Sequence, residues 1–136
     1  MIYTIEALGK PICVKTAVIV GGREMNTQSD WLSKRPHIVV ATPGRLIDLV
    51  KREAVDLMHV KTVILDEADE MLSMGFKKEL DEILEFLSEA ESKWLFSATM
   101  PDGIKQIVNK HMNTNAHRIT VSGSNVVNAR IDHKFV

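Results

Sequence analysis

Short apolar runs alternate with amphipathic stretches along the chain. Thr16-Ala17-Val18-Ile19-Val20, His37-Ile38-Val39-Val40-Ala41, Thr62-Val63-Ile64-Leu65, Trp94-Leu95-Phe96 and His117-Arg118-Ile119-Thr120-Val121 are five candidate strands. Positions 62–65 and 94–96 are close to continuously apolar, which suits a strand covered on both faces of a parallel sheet. Helical patterns lie between the runs. Ile2, Ile5 and Leu8 recur at helical spacing and Gly9 marks an end. Asn26 is placed to cap a short helix ending near Lys34, with Trp31 and Leu32 turned inward. Thr42 and Pro43 are a good N-cap and first-turn pair for the helix carrying Leu46, Ile47, Leu49 and Val50. Phe76, Leu80, Ile83, Leu84 and Leu87 form a single helical stripe, with the acidic side chains of Glu82 and Glu85 expected in solvent. Pro101 opens a last helix with Ile104, Ile107 and Val108 on one side.

Strands alternating with helices predict an α/β domain with a mainly parallel sheet flanked by helices. The pattern weakens after Val121. Residues 122–130 are polar, with Gly123, Asn125 and Asn128, and read as a linker. Residues 131–136 start a new extended pattern. The expected division is therefore one domain over 1–121, with a linker and the start of a further unit over 122–136.

The charge balance narrows the chemistry. Seventeen Lys and Arg stand against 18 Asp and Glu, a formal charge of −1. There is no overall basic field to attract nucleic acid, so any such contact must be local. The one cysteine, Cys13, excludes an internal disulfide, and its apolar setting predicts a core thiol. No apolar run approaches a membrane span and no signal peptide is visible, so a cytoplasmic protein is expected.

Polar residues gather where the strands end. Gly21-Gly22 follows the first strand, and two residues without Cβ let a phosphate backbone approach main-chain N–H groups. Thr42-Pro43-Gly44-Arg45 follows the second, where free N–H groups and a positive dipole end face an anion and Arg45 adds a fixed charge. Asp66, Glu67, Asp69 and Glu70 follow the third. An apolar strand that delivers acids at its carboxyl end has the layout of a Walker B element. There one carboxylate holds Mg²⁺ and the next can polarise a water attacking a γ-phosphate. Helix-start acids alone would account for the same letters. Ser97-Ala98-Thr99 follows the fourth strand, and in an open parallel sheet such ends share one ligand-binding edge.

Gly21-Gly22, Gln28, Thr42-Pro43-Gly44-Arg45, Asp66-Glu67-Ala68-Asp69 and Ser97-Ala98-Thr99, in this order and spacing, resemble the first RecA-like domain of a DEAD-box ATP-dependent RNA helicase. The resemblance implies a RecA-like fold, ATP and Mg²⁺ as cofactors and RNA as partner. By resemblance Asp66 binds Mg²⁺ through water and Glu67 activates the attacking water. Asp69 links to Ser97 and Thr99, coupling nucleotide state to RNA state. Gly22, Thr42, Gly44 and Arg45 hold the RNA backbone, with Gly21 and Gln28 supporting that surface. The family's phosphate loop, Gly-x-x-x-x-Gly-Lys-Thr, is expected to precede Met1, and the second RecA-like domain to follow Val136. The chain alone is accordingly expected to be inactive as an ATPase and helicase. A non-catalytic RNA- or partner-binding module is the alternative, with no use for Glu67. A DNA helicase or another RecA-like ATPase is a third reading, disfavoured by the two four-residue motifs together.

Overall fold

A computed structural model describes residues 2–121; the linker and further unit expected over 122–136 lie outside the described residues. The element order is α1 (Ile2–Gly9), β1 (Thr16–Ile19), α2 (Met25–Ser33), β2 (Ile38–Ala41), α3 (Pro43–Lys51), β3 (Thr62–Leu65), α4 (Ala68–Ser73), α5 (Lys77–Phe86), β4 (Ser92–Leu95) and α6 (Asp102–His111), with a short 3-10 turn at Lys10–Ile12. The alternation of strand and helix is as the apolar pattern predicts.

The strands form two parallel pairs rather than one continuous sheet. β1 pairs with β2 in the register Thr16 to Ile38 through Ile19 to Ala41. β3 pairs with β4 from Thr62–Ser92 through Leu65–Leu95. Helix α3 joins the two halves. Its Ile47 belongs to the larger core, with Val63, Leu65, Ala68, Leu80, Leu84, Ile104 and Ile107. Its Leu49 belongs to the smaller core, with Ala17 and Ile19. Side chains two apart on a nine-residue helix point to different sides, which allows one helix to serve both.

Several expectations fail, each for a physical reason. Residues 117–121 form no strand. Ile119 and Val121 are about nine-tenths exposed, because no neighbouring strand offers this segment a ladder. β3 and β4 are covered on one face only. Val63 and Leu65 are buried, whereas Ile64, Trp94 and Phe96 stay about half exposed on the other side. Cys13 is exposed, at the left-handed end of the 3-10 turn, so it is not a core thiol. Asn26 lies inside the first turn of α2, whose N-cap is Glu24. Leu8 faces solvent, so the α1 stripe is not a buried one. Among the described residues no helix is long and apolar enough to cross a membrane.

Candidate functional site

The loop after β3 is built tightly. Phe96 N–H donates to Leu65 O at 2.8 Å, and Ala68 N–H donates back to Phe96 O at 3.0 Å. The chain must therefore turn within Asp66-Glu67. Glu67 does so at φ 52°, ψ 46°, a left-handed conformation uncommon for a residue with a side chain. Asp66 Oδ1 accepts the Glu67 N–H at 3.1 Å, and both carboxylates are exposed. Neither makes an ion pair among the described residues. Two acids left open to solvent at the carboxyl end of a strand are available to a ligand.

Asp69 is committed differently. Its Oδ2 accepts two hydrogen bonds from Thr99, one from the amide at 2.9 Å and one from the hydroxyl at 2.7 Å. The Thr99 hydroxyl is the main reason the Asp69 carboxyl falls from 3.8 to about 2, since bonds to the charged form favour it. The Ser97 hydroxyl donates to Thr99 O at 2.6 Å and also helps to hold the Asp69 carboxyl in its charged form. The loops after β3 and β4 are thus joined in pairs, backbone to backbone and carboxylate to threonine.

A second surface lies at the ends of β1 and β2. Gly22 has φ +76°, and a Cβ placed on either Gly21 or Gly22 would meet nothing within 4 Å. The main chain there is open to a close approach. Gln28 supports it from below and is fully buried. Its Oε1 accepts from Val20 N–H at 2.9 Å, while Nε2 lies 3.2 Å from Val20 O and 3.3 Å from both Arg23 O and Glu24 O. Thr42 caps α3 in extended conformation, with Pro43 buried behind it, but its hydroxyl makes no capping bond. The exposed hydroxyl and the first-turn N–H groups remain available to an anion. Arg45 Nη1 donates to Arg23 O at 3.0 Å, which fixes the guanidinium beside the glycine turn and leaves its other donors unspent.

The family profile described as DEAD/DEAH box helicase matches residues 1–107. The chain belongs to this family. It is 40% identical over 128 residues to the DEAD-box ATP-dependent RNA helicase RhpA of Helicobacter pylori, covering 94% of this chain and 26% of that protein. It is 42% identical over 129 residues to the DEAD-box ATP-dependent RNA helicase CshA of Bacillus cereus, covering 95% and 24%. Among solved structures, a hypothetical ATP-dependent RNA helicase from Sulfolobus tokodaii superposes with a TM-score of 0.79 at 37% identity, over 85% of this chain and 34% of that one. A DEAD box protein from Methanococcus jannaschii gives 0.71 at 44% identity, over 74% and 28%. The fold is α/β and RecA-like, as these DEAD-box neighbours are. The chain spans about a quarter of the length of the curated relatives it matches.

Two close approaches between distant segments were not legible in the sequence. Phe76, expected as the first member of the α5 stripe, is the N-cap of α5, and its Cε1 lies 3.7 Å from where a Cβ on Gly44 would stand. At Gly103, in the first turn of α6, a Cβ would stand 2.8 Å from Leu72 Cδ1. Periodicity along one segment does not reveal either.

Proposed function

We propose that this chain is the acid-bearing and RNA-facing part of the ATPase domain of an ATP-dependent RNA helicase. The observation that carries the reading is the pair of open acids, Asp66 and Glu67, beside a third, Asp69, tied to Thr99. Capping a helix needs no such division of labour among neighbouring carboxylates.

The donor chemistry fits Mg²⁺-ATP. Among the described residues no three His, Cys, Asp or Glu side chains converge into a protein-only metal cage. Mg²⁺ needs none, since it keeps several waters and takes one or two carboxylates plus phosphate oxygens. Asp66 is the residue that would hold it, through water. Bound Mg²⁺-ATP supplies the γ-phosphate and neutralises charge that develops on it. Glu67, held forward by its left-handed backbone, orients the attacking water and draws on its proton. Asp69, Ser97 and Thr99 couple the nucleotide side to the RNA side. Gly22, Thr42, Gly44 and Arg45 hold the RNA backbone through N–H groups, a hydroxyl and a guanidinium.

A phosphate-cradling loop and a second RecA-like domain belong, on this reading, to other parts of a longer parent chain. Residues 1–121 then form part of the ATP-binding domain, and 122–136 lead out of it. The 136 residues alone lack the backbone nest and lysine that dominate ATP binding, so they neither hydrolyse ATP nor unwind RNA. The decisive experiment uses the parent protein carrying Glu67→Gln. RNA-stimulated hydrolysis should vanish while RNA affinity holds within about twofold, a change too small to represent a lost contact. Unchanged hydrolysis, or the absence of any in the unaltered parent, overturns the ATPase assignment.

A further inference from the structure

We propose that Phe76 is a positioning residue that couples the acidic loop after β3 to the anion-facing start of α3. This deepens the helicase reading and rests on it. A Cβ built on Gly44 would stand 3.7 Å from Phe76 Cε1, ordinary van der Waals contact. Gly44 lies in the first turn of α3, between Thr42 and Arg45. Phe76 is only partly buried and belongs to neither of the two core clusters. The tip of the ring lies over the first turn of α3, near where a side chain on Gly44 would reach.

The backbone of Phe76 is fixed to the acid-bearing side. α4 ends in a turn in which Gly75 adopts φ +88°, Gly75 N–H donates to Leu72 O at 2.9 Å and Phe76 N–H to Met71 O at 3.1 Å. Phe76 O then accepts Leu80 N–H at 2.9 Å, so the same residue begins α5. At its other end α4 carries Asp69, bound to Thr99. On the flank, Leu72 fills the space above Gly103 in the first turn of α6. A helix of six residues has little internal freedom. A displacement of the Asp66–Asp69 end reaches the Gly75-Phe76 joint with little loss, and Phe76 passes it to the turn that carries Thr42, Gly44 and Arg45. Coupling between sites needs an element whose position both sites bias, and α4 is hydrogen-bonded to Thr99 through Asp69 at one end and brings Phe76 close to Gly44 at the other.

The test compares RNA affinity with and without bound nucleotide in the parent protein. The probe is a fluorescein-labelled oligouridylate, titrated alone and with a non-hydrolysable ATP analogue plus Mg²⁺. The ratio of the two Kd values is the coupling factor. Phe76→Ala should lower that ratio by on the order of fivefold or more, within the usual range of coupling between sites. Affinity for each ligand alone should change little, and RNA-independent hydrolysis should persist. Phe76→Leu, which restores a bulky apolar contact, should recover most of the ratio. An unchanged ratio in Phe76→Ala, with coupling intact in the unaltered parent, overturns this proposal alone. Equal weakening of both single-ligand affinities, with Phe76→Leu no better, also overturns it, because that is the mark of a general packing role. Absence of coupling in the unaltered parent overturns the helicase reading and this proposal with it.

Discussion

Asp69 and Thr99, thirty residues apart, share one carboxylate oxygen: Asp69 Oδ2 accepts both the amide and the hydroxyl of Thr99. The contact joins the helix after β3 to the loop after β4. It also explains why Asp69 holds its charge more firmly than an ordinary aspartate.

The pH dependence follows from that depression. A carboxyl whose folded value lies below its unfolded one contributes stability above the unfolded value and loses it as pH falls through the folded one. The stability that the Asp69–Thr99 contact contributes should therefore be complete at pH 5 and decline as pH falls from 3.8, with the contact itself half lost at about 2. Carboxyl-carbon NMR should place the Asp69 midpoint near 2, and Thr99→Ala should move it back up toward 3.8. A midpoint at the ordinary value in the unaltered chain would show that the two hydrogen bonds do not persist in solution.

Gln28 gives the clearest stability prediction. It is fully buried and satisfies both the N–H and the C=O of Val20. Gln28→Ala leaves those groups without partners inside the protein, at a cost of about 1–3 kcal/mol. Urea unfolding followed by circular dichroism should show the loss. A cost below about 0.5 kcal/mol, the size of an ordinary surface change, would mean that the glycine turn does not depend on this prop.

The glycines separate packing from openness. A methyl group on Gly9 would stand 2.8 Å from Val14 Cβ, an atom that no rotamer change can move away. Gly9→Ala should destabilise by about 1–3 kcal/mol, the usual cost of overpacking. Gly21→Ala meets nothing within 4 Å and should leave the melting temperature unchanged. A thermal melt of the two variants side by side checks both. On the helicase reading, RNA affinity should be the property that Gly21→Ala touches.

Trp94 and Phe96 lie 6.3 Å apart between ring centroids, on the uncovered face with Ile64. Parallel strands are ordinarily buried on both faces, and contiguous apolar surface promotes association. The 136-residue chain should associate with rising concentration, and Ile64→Thr with Phe96→Ser should reduce that association without lowering stability. Light scattering across a concentration series measures the first, and urea unfolding the second. A chain monomeric at every concentration would show that this face tolerates water.

Much of this protein was set by the linear pattern. The alternation of β3, α5 and α6 with their apolar stripes is local, because a strand repeats every two residues and a helix every 3.6. The motif positions at strand ends follow from the same alternation, since parallel connections return each strand in the same direction. Asp66, Glu67, Thr42 and Gly22 could be placed at those ends from spacing alone.

What the tertiary structure decided was which of these segments meet. Burial depends on neighbours, so the continuously apolar run at 62–65 came out half exposed, and residues 117–121 found no partner strand at all. The split into two parallel pairs, the burial of Gln28 and the exposure of Cys13 have the same origin. The hydrogen bonds that join the site (Asp69 to Thr99, Arg45 to Arg23) span 30 and 22 positions of sequence. Residue type and local period carry no information about such pairs; only the packing of α3, α4 and α6 against the two sheets brings them together.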